Sequence, residues 1–131
     1  MSDSDTSTAP TDIPAEVLAA SVRAVFRIFA VLRLADGQAM ALLGQSDVST
    51  FEKWRHGDLG VLANETILRV SALLAIYQML QQLFDEPTRA AAWIKRPNEA
   101  FGGLSALEKM LGGTFSDVLA VRDHLDANVH A

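Results

Sequence analysis

The sequence contains no cysteine and only three histidines. Without cysteine, the chain has no disulfide framework, no thiolate nucleophile and no cysteine-ligated zinc. None of the histidines, which are His56, His124 and His130, forms a metal-ligand pair with another histidine or with a carboxylate cluster. No alternating strand pattern is found, so no glycine-rich phosphate loop can follow a strand. The sequence therefore predicts a protein that is not an enzyme and that needs no metal or cofactor.

Basic residues are absent from the first sixteen positions, which carry four carboxylates. This acidic start lacks the basic and apolar regions of a signal peptide, so we expect the protein in the cytoplasm. Residues 1–14 are mostly Ser, Thr, Asp and Pro and are predicted to form a disordered tail. The net charge is −5, but the remaining residues hold eleven basic and twelve acidic side chains. A nearly neutral body weakens the objection that an acidic protein cannot bind DNA.

Apolar residues recur at helical spacing through most of the remaining chain. The pattern predicts an all-α protein of about seven helices, with long helices over residues 17–34 and 66–84. Asn64 is predicted to cap the second of these. Charged and amide side chains interrupt both helices, so neither can span a membrane. Their apolar faces could instead form a homodimer interface.

Shorter helices are predicted after the second long one. Pro87 fits the first turn of such a helix, where a missing N–H costs nothing. Ser105 and Thr114 have the spacing of hydroxyl caps that begin two further helices. Glu108 completes a capping box with Ser105, whereas Asp117 is a shorter and poorer substitute beside Thr114.

A helix-turn-helix is predicted over residues 37–57, because a short apolar helix is followed by a glycine and a second helix with polar faces. Gly44 allows the positive φ that such a turn requires. Val48, Phe51 and Trp54 repeat every three residues, which predicts that they pack inward. The predicted DNA contacts are polar residues on the other faces of this helix, namely Ser49, Thr50, Lys53, Arg55 and His56.

The alternative for this segment is an ordinary helical hairpin with a solvated face. Over residues 36–58 four acidic side chains accompany only two basic ones, which weakens attraction to DNA phosphates. Arg23, Arg27 and Arg33 would restore a positive potential if the first helix lies beside the DNA groove.

An unusual succession of turn residues occupies the run from residue 93 to residue 113. It contains a tryptophan, a Pro-Asn pair, Phe-Gly-Gly, a capped short helix and a closing Gly-Gly. This run resembles the C-terminal toxin-binding domain of the Xre/MbcA/ParS-type antitoxin family. The matching residues are Trp93, Pro97, Asn98, Phe101, Gly102, Gly103, Ser105, Leu107 and Gly113. Ala106 stands where that family usually has proline, so the start of this helix is less rigidly set.

The resemblance extends upstream and covers roughly residues 25–129. The family's helix-turn-helix is matched by Leu42, Leu43, Gly44, Phe51, Trp54 and Gly57, and its linking helix by Glu65, Arg69, Tyr77 and Phe84. The resemblance implies an antitoxin of a type II toxin-antitoxin system, encoded beside a RES-domain toxin that consumes NAD. It also implies that the C-terminal segment obstructs the entrance to the toxin's active site. The N-terminal domain is then expected to bind the operon promoter as a dimer and to repress transcription.

Within this interpretation, residues 15–62 form the helix-turn-helix domain and residues 63–131 form the linking helix and toxin-binding domain. The predicted toxin contacts are Lys95, Arg96, Asn98, Glu99, Lys109, Arg122, Asp126, Asn128, Val129, His130 and Ala131. The predicted core residues of this half are Trp93, Ile94, Phe101, Leu104, Leu107 and Leu111. His124 is predicted to be a solvated side chain on a surface helix. Two alternatives stay open: a DNA-binding transcriptional regulator, and a helical interaction module whose partner is not a toxin.

Overall fold

The computed structural model describes residues 13–130, and their regular structure is helical. The α-helices are α1 (Ala15–Val31), α2 (Asp36–Leu43), α3 (Val48–Arg55), α4 (Asn64–Leu83), α5 (Pro87–Lys95), α6 (Ala106–Met110) and α7 (Phe115–Val129), with a 3₁₀ turn at Glu99–Phe101. The described residues contain no strand, and their one isolated β-bridge joins Pro97 and Ser105. The prediction of an all-α protein with seven helices is confirmed. Residues 1–12 of the predicted tail lie outside the described residues.

The long helix α4 is the centre of the packing, with α7 and α1 making its most extensive contacts. Its apolar residues point to both neighbours, so it joins one continuous core rather than two separate ones. The residues of these three helices that are almost fully buried include Val22, Val25, Phe29, Ile67, Val70, Leu73, Ile76, Leu80, Val118, Val121 and Leu125. Each large aliphatic side chain buried in this way contributes about 1.5–3 kcal/mol relative to an exposed one.

Two capping boxes begin the last helices, as the sequence predicts. Ser105 Oγ accepts from the Glu108 N–H (3.0 Å) while Glu108 Oε1 accepts from the Ser105 N–H (2.8 Å). Thr114 and Asp117 form the same reciprocal pair at 3.1 and 3.2 Å. The side-chain hydrogen bond from Thr114 lowers the pKa of Asp117, so its carboxylate stays charged at the start of α7. Asp117 thus completes the capping box of Thr114, and its bond to the cap N–H is longer than that of Glu108, as expected from its shorter side chain.

The starts of the other helices differ from the predictions. Asn64 is the first helical residue of α4, and Ala63 holds the cap position without a side-chain hydrogen bond, so the prediction of an Asn64 cap is wrong. The prediction that Val48 packs inward is also wrong, because it is 62% exposed at the first position of α3. Each three-residue step falls about 60° short of a full helical turn, so the three residues of this repeat do not share one narrow face. Pro87 does occupy the first turn of α5.

No single helix within residues 13–130 has both the length and the hydropathy needed to cross a membrane. The helices α4 and α5 meet those criteria only when they are taken together, and they are bent by 115° at their junction.

Candidate functional site

A cleft between α4 and α7 brings together four of the predicted toxin contacts. The α4–α7 cleft is lined by Gln78 and Gln82 from α4 and by Arg122, Asp126, Val129 and His130 from α7 and its end, and it has a volume of ≈ 390 Å³. Its rim holds charges of both signs. His130 Nδ1 lies 3.2 Å from an Asp126 carboxylate oxygen, and Arg122 pairs with Asp123 at 3.6 Å. These exposed groups are open to exchange for the polar groups of a partner protein, because surface ion pairs contribute little stability.

The remaining predicted contacts lie outside this cleft. Lys95, Arg96, Asn98 and Glu99 follow one another at the end of α5 and the start of the 3₁₀ turn. Lys95 Nζ donates to the Arg33 carbonyl (3.2 Å), and Asn98 Oδ1 accepts from the Ala100 N–H (2.9 Å), so both side chains are partly used inside the chain.

Lys109 and Asn128 also have partners within the protein. Lys109 pairs with Asp117 at 3.2 Å, which joins α6 to the start of α7. Asn128 Nδ2 donates to the His124 carbonyl at 2.8 Å. Ala131 lies outside the described residues. The structure therefore divides the predicted toxin contacts into the α4–α7 cleft, the Lys95–Glu99 segment and two internally paired residues.

A small aromatic cluster joins α5, the 3₁₀ turn and α7. The His124 ring stacks on Trp93 with centroids 6.2 Å apart and an angle of 13°, and it meets Phe101 edge-on at 5.1 Å. Phe84 extends the cluster on the other side of Trp93, at 6.3 Å. All four side chains are half-buried. The prediction of a solvated His124 is wrong, because the fold brings two distant aromatic residues against it.

The predicted core of this half is only partly confirmed. Ile94 and Leu107 are buried, and Leu111, like Trp93 and Phe101, is half-buried. Leu104 is 45% exposed, so its assignment to the core is wrong. It follows Gly102 and Gly103, which both have positive φ, and this tight turn directs the chain outward before Ser105 caps α6.

Arg69 connects the two halves of the molecule from within the core, where it is 3% exposed. Its Nη1 donates to the Ala41 and Leu42 carbonyls at 3.4 and 3.2 Å, and its Nη2 donates to the Gly113 carbonyl at 3.0 Å. Its Nε pairs with Glu65 at 3.0 Å. The guanidinium thus satisfies the C-terminal carbonyls of α2 and the turn before α7. The sequence offers Arg69 only as part of a linking helix, and its burial is not predicted.

The helix-turn-helix is formed by α2, a turn at Gly44 and α3. Gly44 has a φ of 69° and ends α2 in the left-handed conformation. A Cβ at this position would come within 2.8 Å of Arg69 Nε, so close approach as well as φ requires glycine. Phe51 and Trp54 are buried and hold α3 against the rest of the domain, with Phe26 of α1 5.2 Å from Phe51. The predicted helix-turn-helix geometry is present.

The predicted DNA contacts on α3 differ in how available they are. Ser49, Lys53 and His56 are exposed. Thr50 is half-buried, and its hydroxyl donates to Asp47 at 2.7 Å. That hydrogen bond lowers the pKa of Asp47, so a charged carboxylate caps α3.

Arg55 is the most constrained of the predicted DNA contacts. It binds Asp36 at 2.8 Å and Glu52 at 3.3 Å, and its guanidinium lies over the Phe51 ring at 5.0 Å. The hydrogen bond that Arg55 donates to the Asp36 carboxylate raises the pKa of Arg55. Arg55 therefore joins α3 to Asp36 at the start of α2. The exposed polar face of α3 then consists of Ser49, Lys53 and His56.

No group of three or more His, Asp or Glu side chains within residues 13–130 is placed to hold a metal ion. The arrangement offers surfaces for macromolecules: a mixed-charge cleft at one end and a polar helix face at the other.

Two comparisons with known proteins bear on these surfaces. A sequence model described as the antitoxin Xre/MbcA/ParS C-terminal toxin-binding domain matches residues 79–128, which run from the end of α4 through α7. A protein of Sinorhizobium fredii (strain NBRC 101917 / NGR234), named uncharacterized protein y4oB, is 43% identical over 108 residues. That similarity covers 82% of this chain and 83% of the relative, so it includes the helix-turn-helix as well as the C-terminal half.

Proposed function

Because the chain belongs to the Xre/MbcA/ParS antitoxin family, we propose that it neutralises a RES-domain toxin that consumes NAD. In this proposal residues 63–131 bind the toxin and obstruct the entrance to its active site. Residues 15–62 bind the promoter of the toxin-antitoxin operon and repress its transcription. The proposal assigns no reaction to the chain itself.

The observation that carries the proposal is the α4–α7 cleft, which lies within the half that bears the toxin-binding domain. Arg122, Asp126 and His130 present both signs of charge along one side of α7, and Gln78 and Gln82 face them from α4. A partner loop could exchange these exposed side-chain pairs for its own hydrogen bonds at little cost. Beyond Leu125, whose side chain is fully buried, the end of α7 is mostly exposed, with only Val129 partly buried against the core. Residues 126–131 are therefore the segment that we propose enters the toxin.

Truncation after Leu125 tests this mechanism. We expect the truncated chain to keep its fold, because Leu125 is the last fully buried residue of α7, and to lose most of its ability to rescue cells that express the toxin. Growth, cellular NAD content and the thermal unfolding of the purified protein are the measurements. Removal of residues 1–12, at the other end of the chain, is the matched control and should leave rescue unchanged.

A second variant separates loss of contact from loss of stability. Arg122→Ala keeps the full length of α7 and removes one cleft side chain whose nearby carboxylate is exposed. It should weaken toxin binding without lowering the melting temperature. If the truncated chain and Arg122→Ala both rescue cells as well as the intact protein, occlusion by the end of α7 is wrong.

Repression is the second proposed activity, and the exposed face of α3 supports it. Ser49, Lys53 and His56 lie together on that face, and Ser, Lys and Arg are residue types that contact phosphates and base edges in the major groove. The gel shift of a duplex that carries the operon promoter measures this binding directly. A chain that fails to retard this duplex, at low salt and high protein concentration, has no repressor activity.

We also propose that the protein acts as a homodimer. A groove between α1 and α4 has a volume of ≈ 520 Å³. Its lining combines apolar residues and Tyr77 with three polar side chains: Ala24, Ile28, Val31, Leu74, Tyr77, Arg27, Gln78 and Gln81. Pairing two copies along this groove would remove exposed apolar surface from water and place two α3 helices on one duplex. Sedimentation equilibrium distinguishes this dimer from a monomer.

A further inference from the structure

A small cleft lies between α1 and the C-terminal end of α3. This α1–α3 cleft is lined by Ala19 and Arg23 from α1, by Trp54, Arg55 and His56 from α3 and its end, and by Gly57 and Leu59 beyond it. Its volume is ≈ 150 Å³, enough for about five water molecules at ~30 Å³ each. Two guanidinium groups and an imidazole line the cleft, and no carboxylate does.

Arg23 is the cation that this cleft leaves most available. Within residues 13–130 no carboxylate pairs with its guanidinium, and the side chain is exposed. Arg55 uses two of its five N–H donors on Asp36 and Glu52, so it is fixed in place while other donors stay unused. His56 Nδ1 donates to the Glu52 carbonyl at 2.8 Å, so Nε2 is the ring nitrogen left for another partner.

The charge and size of the cleft suit a phosphate group. Guanidinium groups bind phosphate through pairs of N–H donors, and an enclosure without carboxylates does not repel it. His56 also belongs to the exposed polar face of α3, so the cleft adjoins the surface proposed to enter the DNA groove. When a helix lies in the major groove, phosphodiesters pass close to its ends.

We propose that the α1–α3 cleft binds a phosphodiester of the DNA backbone, with Arg23 as its principal contact. The inference rests on the proposed DNA binding by α3 and extends it to α1. Phosphate contacts of this kind position a protein on the duplex and carry no base information. Arg23 therefore strengthens binding to specific and non-specific DNA alike, and it makes the affinity more sensitive to salt.

The salt dependence of DNA binding tests this role. The full chain is titrated onto a fluorescently labelled promoter duplex at several salt concentrations from about 50 to about 200 mM, with anisotropy as the readout. Arg23→Gln should lower the slope of log affinity against log salt by about 2 for the proposed homodimer, the effect of one phosphate contact in each copy, and weaken binding several-fold at low salt. Arg33→Gln is the matched control, because it makes the same charge change at an exposed residue just beyond α1 that lines neither this cleft nor the α1–α4 groove. It should leave the slope unchanged.

Some results would overturn the inference, and one would change the origin of the phosphate that the cleft binds. An unchanged slope for Arg23→Gln, or equal losses from Arg23→Gln and Arg33→Gln, would show that the cleft does not hold a phosphate of the duplex. If the unmodified chain does not bind the promoter at all, the proposed repression fails, and inorganic phosphate becomes the probe. A shift of the Trp54 indole N–H signal by NMR that Arg23→Gln abolishes would then support a phosphate site with another source. The absence of such a shift would overturn the proposed phosphate site.

Discussion

The aromatic residues of the two halves of the molecule differ in how deeply they are buried. In the helix-turn-helix, Phe51 and Trp54 are 1% and 7% exposed and serve the core. In the C-terminal half, Trp93 and Phe101 are half-buried and hold His124 between them at the surface. The first half thus encloses its aromatic rings and exposes polar side chains on α3, whereas the second half leaves part of its aromatic surface in contact with solvent. Residue type alone does not separate these roles, since both tryptophans occur in helices with apolar spacing.

The largest expected effect compares one aromatic residue from each half. Phe51→Ala should lower the free energy of unfolding by ~3–5 kcal/mol, because it empties a fully enclosed site. Trp93→Ala should cost less, about 1–3 kcal/mol, because part of its ring is already in water. Urea denaturation followed by circular dichroism measures both values under the same conditions. Equal losses from the two substitutions would show that the halves do not differ in this respect.

Arg69 is the exception to this comparison, because its guanidinium binds carbonyl groups in both halves. Arg69→Met keeps the apolar volume but leaves the Ala41, Leu42 and Gly113 carbonyls without this donor, at about 1–3 kcal/mol for each group that stays unsatisfied. Partial rescue by water should limit the total loss to about 2–4 kcal/mol. Arg69→Lys should restore only part of it, since an ammonium group cannot reproduce the planar fork.

Glu65→Gln is the control for the ion pair within this network. The Glu65 side chain is 62% exposed, so its charge should contribute less than about 1 kcal/mol. A loss from Glu65→Gln as large as that from Arg69→Met would assign the stability to the ion pair and not to the carbonyls. Urea denaturation gives the loss for each variant.

Local patterns predict much of this fold because their partners are close in the sequence. The turn at Gly44 and the capping box of Ser105 and Glu108 each depend on a few neighbouring residues, and both are present. The acceptors of Arg69 lie 28 and 44 positions away in the chain, so no spacing rule could identify them. His124 likewise becomes half-buried only because α5 and the 3₁₀ turn fold against α7.

The same reasoning explains which parts of the candidate site were predictable. Helical spacing places Arg122, Asp126 and Val129 on one side of α7, and α4 then supplies the opposite wall of the cleft. Spacing does not reveal that Arg55 is held by Asp36 of another helix. Availability for a partner depends on these internal contacts, which form only in the folded chain.

The smallest expected effect separates the two halves by function. Lys53→Ala removes an exposed charge from α3 and should reduce the slope of log affinity against log salt for promoter DNA by about 2 for the proposed homodimer, one contact in each copy. It should leave toxin neutralisation and the melting temperature unchanged, because surface substitutions stay within about 0.5 kcal/mol. Lys95→Ala is the reciprocal control: it removes the same charge from the other half and should weaken toxin binding but not promoter binding.

Crossed effects would contradict this separation. If Lys53→Ala impairs rescue of toxin-expressing cells, or if Lys95→Ala changes the salt slope, one surface must serve both partners. The salt slope of Lys95→Ala is the more informative measurement. Lys95 donates a hydrogen bond to the Arg33 carbonyl, and this bond joins the end of α5 to the turn after α1. Normal DNA binding by the Lys95→Ala variant would show that the hydrogen bond from Lys95 to the Arg33 carbonyl is not needed to position α1 for DNA binding. The two halves would then share a core and Arg69 while keeping their recognition surfaces independent.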